Sequence, residues 1–399
     1  VKLAAQTSIK SFGSEAVAGP VTGRPRILHV LPFAVRGGAE EHALSILAAL
    51  ADNGFEPWLA APSALLAQMA PELNAAGVRR FSVRHCSPLA VGEVLRFARF
   101  LRQEQIALVH SHMFPASLFA SPLAHLSGRC AVVETFHLRE VWREPKPLKA
   151  SFWLDRQVAR FVDRYIAVSR GAERHLVQNK RIAQSKVTTI YNGRDLKRFR
   201  PPSAHDREHA RRELAVADAQ VLLVVGRLEP QKGHIYLIEA MRELVQKWPR
   251  LVALLAGVGS LQSELETQCY AAGLAGKIRF LGQRKDPERL LAAADIVVLP
   301  SLYEGLPLVA IEALAMQRPM VGSDIEGTRE IVIHGETGIL VPPAHSAALA
   351  QGIEELLASP GRAAEFAMRG RALVERNFDV RQQIAHTMCV YDQLMRRSA

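Results

Sequence analysis

Two runs of alternating short apolar strands and helix-period segments, separated by a proline pair, limit how this chain can fold. The first run opens at Arg26–Pro32, an apolar stretch bounded by turn residues. Over Ala39–Asp52 the spacing becomes helical, with Ala43, Ile46, Leu47 and Leu50 on one face. Further strands are expected at Pro57–Ala60, Val78–Val83, Ala107–His110, Ala131–Thr135, Tyr165–Val168 and Val187–Ile190. Helices between them include Val91–Gln103 and Gly171–Gln178. A βαβα order of this kind builds a parallel sheet covered by helices on both faces. Pro201-Pro202-Ser203 interrupts it, because a proline pair continues neither a helix nor a central strand.

The rhythm then restarts. Strands fit Gln220–Val225, Leu251–Ala256, Lys277–Leu281, Asp295–Leu299 and Met320–Gly322. Helices fit His234–Lys247, Leu261–Ala272, Pro287–Ala293 and Pro307–Met316. The expected fold class is α/β, with two doubly wound, Rossmann-like lobes facing a central cleft. The lobes are placed at 24–200 and 219–378, with a mobile N-terminal arm over 1–23 and a linker over 201–218. A last amphipathic helix over 379–399 is expected to cross back to the first lobe. A length of 399 residues suits two domains. Ligands of such folds bind at the carboxyl ends of the strands, here in the cleft.

Composition removes several function classes. Four scattered cysteines without a CxxC pair exclude a zinc ribbon or disulfide scaffold and suit a reducing cytosol. No apolar run approaches the ~18–20 residues that span a bilayer. Lys2-Leu-Ala-Ala is broken by Gln6, Thr7 and Ser8, so the start does not read as a secretory signal. Residues 1–200 carry 28 Lys+Arg against 15 Asp+Glu, while residues 201–399 carry 22 against 24. The basic excess therefore lies in the first half, where it would attract an anionic ligand or surface. A solvated basic face without a partner accounts for it as well.

Two stretches carry chemistry. In Ser301-Leu-Tyr-Glu-Gly-Leu-Pro, Glu304 ends a strand, Gly305 allows close backbone approach and Pro307 pre-sets a helical turn. The N–H groups near 305–309 would point into the cleft, ready for anionic oxygens. Glu312, eight residues after Glu304, should look toward the same side. Such a carboxylate pair suits the hydroxyls of a ribose and a hexose. An acidic first helical turn explains Glu304 equally, but not Glu312 in an otherwise apolar helix. The second stretch is Val225-Gly-Arg-Leu-Glu-Pro-Gln-Lys-Gly-His. Gly226 and Gly233 bracket a tight loop carrying Arg227 and Lys232, two cations that suit a diphosphate or are plain surface charges.

GRLEPQKG, the E-x7-E stretch YEGLPLVAIEAL, the Asn192-Gly193 turn of IYNGRD and the Gly37-Gly38-Ala39-Glu40 loop together resemble the family 4 retaining glycosyltransferases, the group 1 enzymes of GT-B architecture. The resemblance covers about residues 26–397. It implies that Arg227 and Lys232 bind the donor diphosphate, with Gly226 heading their loop. It implies that Glu304 contacts the donor sugar and Glu312 the nucleotide ribose. Gly305, Leu306 and Pro307 match the backbone loop at the donor, Gly37 and Gly38 the glycine loop of the first lobe, and His137 a histidine near the reacting carbon. Two positions depart from the family pattern. Val258 stands where an acidic residue is usual, and Asp324–Glu330 is bulkier than the usual glycine-rich stretch.

His110 and His112 fall on one side of a strand end, where two imidazoles could bind a metal. No nearby carboxylate completes a ligand set, and the GT-B architecture generally works without a metal. An acceptor contact for His112 is preferred, and neither metal nor cofactor is expected. Leu148 to Arg164 reads as a basic amphipathic helix, with Phe152, Trp153 and Phe161 as anchors and Lys149, Arg156, Arg160 and Arg164 as cations. It suits an anionic membrane surface, or packing on its own sheet.

The resulting expectation is an enzyme moving a hexose, with retention, from a UDP- or GDP-sugar to a saccharide or lipid-linked saccharide. Cell-envelope polysaccharide or lipopolysaccharide synthesis is the expected setting, in the cytoplasm or on the inner membrane face. A nucleotide-sugar epimerase of the same architecture is the alternative, though no acid/base set for it is identifiable. A nicotinamide-dependent oxidoreductase is disfavoured because Gln262 occupies the third glycine position after Gly257-Val-Gly259. A nucleic-acid binder lacks every recognisable motif.

Overall fold

Two parallel sheets form the frame of the computed structural model, which describes residues 23–128, 130–137 and 152–398. Residues 1–22 of the arm expected over 1–23, and the basic stretch Leu148–Ser151, lie outside the described residues. Strands β1 (Arg26–Val30), β2 (Glu56–Ala61), β3 (Arg79–Ser82), β4 (Ile106–His112), β5 (Ala131–Phe136), β6 (Arg164–Ala167) and β7 (Val187–Thr189) make a seven-stranded sheet in the order β3-β2-β1-β4-β5-β6-β7. Strands β8 (Gln220–Val225), β9 (Leu251–Ala256), β10 (Ile278–Phe280), β11 (Ile296–Leu299), β12 (Met320–Ser323) and β13 (Ile339–Val341) make a six-stranded sheet, β10-β9-β8-β11-β12-β13. The strand order reverses beside β1 in the first sheet and beside β8 in the second. The loops that follow these strands therefore open into a crevice.

Central strands are apolar on both faces because helices cover both. Leu222, Leu223 and Val224 of β8 are buried, as are all six residues of β9. The first sheet also buries imidazoles: His29 on β1 and His110 and His112 on β4 are fully buried.

Several elements differ from the sequence reading. Most of 201–218 is a helix, Ala204–Glu213, rather than an open linker. Ser203 caps it, donating its backbone N–H to Asp206 and accepting the Asp206 N–H. Arg207 and Arg211 tie it to Asp295 at 2.5 and 3.2 Å, so it belongs with the second sheet. Among the described residues the basic helix runs over Phe152–Val158. Arg164 begins β6 instead, where it donates to the Ser185 carbonyl. Its apolar residues also split: Phe152 is buried, whereas Trp153 is 57% exposed.

The last helix, Val380–Ser398, packs on the first lobe. Met388, Val390, Tyr391 and Leu394 join Ile27, Leu31, Ile46 and Leu47 in one apolar cluster. Its entry is fixed at Gly193, where a Cβ would lie 2.5 Å from the Val380 backbone. The Gly193 N–H donates to Gln383 Oε1 at 2.5 Å.

Candidate functional site

A cavity of about 680 Å³ opens between the lobes at the carboxyl ends of β1, β4, β5, β8 and β11. From the first lobe it is lined by Phe33–Glu40, Met113–Pro115, Phe136, His137 and Asn192. From the second it is lined by Val225, Arg227, Gln231, Lys232 and Glu304–Val309. Gly37, Gly38, His137, Arg227, Lys232, Glu304, Gly305, Leu306 and Pro307 thus share one wall-to-wall space, though they come from opposite halves of the chain.

Local geometry explains their positions. Gly37 caps the helix Gly38–Leu50, and its N–H donates to the Glu40 carboxylate at 2.9 Å. Burial raises the Glu40 pKa. A Cβ on Gly38 would stand 3.7 Å from Leu308 Cδ1, so the glycine loop comes close to the opposite lobe. Met113 follows β4 with φ at 69°, a left-handed conformation uncommon outside glycine.

Across the cleft, Gly233 has φ at 63°, and a Cβ there would lie 2.1 Å from the Pro300 carbonyl. Only glycine lets the cationic loop approach the end of β11 this closely. Gln231, which sequence reasoning passed over, stitches the two loops together. Its amide donates to the Tyr303 carbonyl at 2.9 Å and its backbone carbonyl accepts from Leu302. The only sequence signal for it was its place between Arg227 and Lys232. Lys232 Nζ lies 2.5 Å from Glu304 Oε1, and Ser301 Oγ donates to the same oxygen at 2.8 Å. Gly226 supports the lysine stem without lining the cleft: a Cβ there would be 3.3 Å from Lys232 Cε.

Two expected contacts lie off the cleft wall. Glu312 is buried, and its carboxylate pairs with Arg194 rather than facing the cavity beside Glu304. His112 is fully buried because the His137 ring covers it, stacked at 5.2 Å between centroids. The ligand partners that seemed missing for a His110/His112 metal site come from elsewhere in the chain and are imidazoles. His29, His110 and His112 form one triad within reach of a single ion, and His42, His112 and His137 form another. In the first, both nitrogens of each ring are already hydrogen-bonded. In the second, His42 Nε2 is a buried nitrogen without a hydrogen-bond partner. Burial lowers the His29 pKa to about 3 and the His42 pKa to about 4, and holds His110, His112 and His137 well below the usual histidine value.

Gly257 and Gly259 serve packing. Cβ atoms there would lie 1.9 Å from the Gly226 carbonyl and 2.3 Å from the Leu228 carbonyl. The lobes are clamped beside the cleft by Glu330, whose carboxylate accepts the N–H groups of Arg170 and Gly171 at 2.9 and 2.8 Å.

Family models agree with this arrangement. Residues 36–198 match Glycosyltransferase Family 4, and residues 206–373 match Glycosyl transferases group 1. The chain is 31% identical to a glycogen synthase of Mycobacterium tuberculosis over 71% of this chain and 68% of that protein. It is 28% identical to the UDP-Gal:alpha-D-GlcNAc-diphosphoundecaprenol alpha-1,3-galactosyltransferase of Escherichia coli, over 61% of this chain and 64% of that one. The Anabaena protein HepE, solved in complex with UDP-glucose, superposes with a TM-score of 0.80 at 25% identity. That match covers 92% of this chain and 99% of HepE. A two-lobed α/β transferase architecture with a cationic interlobe cleft is therefore the class of this molecule. The chain belongs to the group 1 glycosyltransferases, of family 4 type.

Proposed function

We propose that the chain transfers a hexose from a nucleoside diphosphate sugar, a UDP- or GDP-sugar, to a saccharide or lipid-linked saccharide, with retention at the anomeric carbon. The observation that carries this reading is the convergence of Arg227, Lys232 and the 305–309 backbone on one cavity, opposite Gly37, Gly38 and His137. Bond cleavage leaves charge on the diphosphate, and two fixed cations plus helix-terminal N–H groups are preorganised to stabilise it. Glu304, held by Lys232 and Ser301, presents its carboxylate to donor sugar hydroxyls. The acceptor hydroxyl attacks from the face the diphosphate leaves, and a phosphate oxygen takes its proton. Asn192 and the Gly37-Gly38 loop form the first-lobe side of the donor site.

Glu312 and Arg194 lie one layer behind. In this reading the Glu312 carboxylate holds the ribose, with Arg194 fixing its orientation. His112 acts beneath His137 and supports the wall on which the acceptor rests. The Escherichia coli relative named for a diphosphoundecaprenol substrate supports a lipid-linked acceptor and a cell-envelope setting. The basic first half supports an anionic membrane surface as the place of work. No helix among the described residues is long and apolar enough to cross a membrane, so the association would be peripheral.

The test is product analysis. UDP- and GDP-hexoses are supplied with saccharide and polyprenyl-diphosphate saccharide acceptors, with and without chelator. An α-linked product from an α-linked donor supports retention. Sugar-nucleotide isomerisation without an acceptor would instead identify an epimerase.

A further inference from the structure

Six side chains, five buried and the sixth, His137, half-buried at the cleft, form one unbroken hydrogen-bonded chain into the first lobe. His137 Nε2 meets His112 Nδ1 at 3.0 Å, and His112 Nε2 meets His29 Nδ1 at 2.9 Å. His29 Nε2 meets the Tyr391 hydroxyl at 3.1 Å, and that hydroxyl meets His110 Nδ1 at 2.5 Å. His110 Nε2 meets Thr135 Oγ1 at 2.6 Å. The residues come from β1, β4, β5 and its following loop, and the last helix. No two neighbours in the chain of bonds are neighbours in sequence.

A neutral imidazole has one N–H and one bare nitrogen, so each link fixes the next. Two arrangements satisfy every link and pair the Tyr391 hydroxyl hydrogen, and they run in opposite directions. A third, in which both rings donate to the Tyr391 oxygen, leaves the fully buried Tyr391 hydroxyl hydrogen unpaired and is disfavoured for that reason. Thr135 decides between the first two. It is fully buried, and among the described residues His110 Nε2 is the one partner of its hydroxyl. A buried hydroxyl hydrogen is costly to leave unpaired, so it donates to His110 Nε2. His110 then carries its proton on Nδ1 and donates to the Tyr391 oxygen. Tyr391 donates to His29 Nε2, His29 Nδ1–H to His112 Nε2, and His112 Nδ1–H to His137 Nε2. His137 is left with its proton on Nδ1, the ring nitrogen outside this chain of bonds, on a side chain that lines the cleft.

We infer that Thr135 and Tyr391 are positioning residues that lock His137 in the Nδ1–H form, so that it faces the cleft as a hydrogen-bond donor. The functional half of this inference rests on the proposed transferase activity; the structural half does not. A donor at this position suits an oxygen of the bound sugar or the departing phosphate, whereas the opposite polarity would present a lone pair to those oxygens.

Two-bond proton–nitrogen correlation spectra of the histidine-labelled protein test the lock directly, without substrate. The expected result is Nδ1–H for His29, His110, His112 and His137. Thr135→Val removes the terminal donor and Tyr391→Phe cuts the chain; each should give mixed forms at His137. Thr135→Ser restores the hydroxyl and should restore the single form, which separates the lock from simple packing. With a hexosyl donor, Thr135→Val should lower kcat by about tenfold, the loss of one net hydrogen bond, at unchanged nucleoside diphosphate affinity. An Nε2–H His137 in the wild type, or a His137 signal indifferent to both substitutions, overturns the inference. The expected spectra without any hexosyl transfer would uphold the lock and overturn the transferase reading alone.

Discussion

Lys232 and Glu304 meet across two loops of the second lobe, Nζ to Oε1 at 2.5 Å, with both side chains largely buried in the cleft wall. The pair places a cation and a carboxylate side by side at the mouth of one cavity. In the proposed reaction the lysine turns to the diphosphate and the carboxylate to the sugar. Lys232→Ala and Arg227→Ala should each lower turnover roughly 10²–10³-fold, the scale for losing one preorganised donor to a developing anion. Arg227→Ala should leave the unfolding temperature near the wild-type value, whereas Lys232→Ala should lower it, because the largely buried Glu304 carboxylate loses its cation. Steady-state kinetics on purified variants decide, and near-normal turnover would remove that residue from the site.

Glu312→Ala should have a mixed phenotype. The substitution leaves the largely buried Arg194 guanidinium without its carboxylate; breaking a fully buried pair costs about 3–5 kcal/mol, and this partly exposed one should cost less. The protein should therefore unfold at lower denaturant concentration. Affinity for the nucleoside diphosphate should also fall if the carboxylate holds the ribose, whereas a ground-state contact leaves kcat little changed. Denaturant titration and calorimetry separate the two effects. Lost stability with unchanged affinity would make Glu312 purely structural.

Acid should destabilise the fold before ordinary carboxylates titrate. The folded values of His29, His42 and His234 lie at about 3, 4 and 4, and those of His110, His112 and His137 are also depressed, all chiefly by burial. In the unfolded chain histidine titrates near 6.5. Below that pH the unfolded state binds more protons, so stability is fully present above 6.5 and is lost as pH falls toward 4. Each histidine contributes a slope of about 1.4 kcal/mol per pH unit in that window. Thermal melts between pH 8 and 5 should be flat above 7 and fall steeply below 6.5. A flat profile down to 5 would mean that the cluster accepts protons while folded.

Anionic vesicles should bind the protein at low salt and release it at high salt, if the basic first half faces a membrane. Arg156 and Arg160 follow Trp153 in the chain, and Trp153 is 57% exposed. Changing both arginines to glutamate should reduce co-sedimentation while sparing nucleotide affinity, since neither lines the cleft. The Debye length is only about 8 Å at physiological salt, so a purely electrostatic attachment would be strongly salt-dependent. A wild-type protein that stays in the supernatant at low salt would leave steering of a soluble anionic acceptor as the purpose of the charge.

Strands such as Gln220–Val225 and Leu251–Ala256 were legible because a strand buried on both faces reads as an uninterrupted apolar run. Ile339–Val341 was not anticipated, although Val187–Thr189 and Ile278–Phe280 are equally short. The helix Ala204–Glu213 was taken for a linker because it has almost no apolar face. Arg207 and Arg211 hold it to Asp295, a partner more than 80 residues away. The cationic loop and the Glu304 turn were readable because glycine and proline mark where backbone must bend. The Arg194–Glu312 pair and the gathering of five histidines were not. They depend on which strands lie side by side, and spacing along the chain does not record that.

The helix Val380–Ser398 has a bearing on how the molecule is made. Tyr391 and Leu394 complete a cluster whose other members begin at Ile27. During synthesis the second lobe can collapse as its own residues emerge, whereas the first must wait, with that surface uncovered, until the helix Val380–Ser398 has also left the ribosome. The half translated first is thus the half finished last, and in the interval it is the natural client for a chaperone.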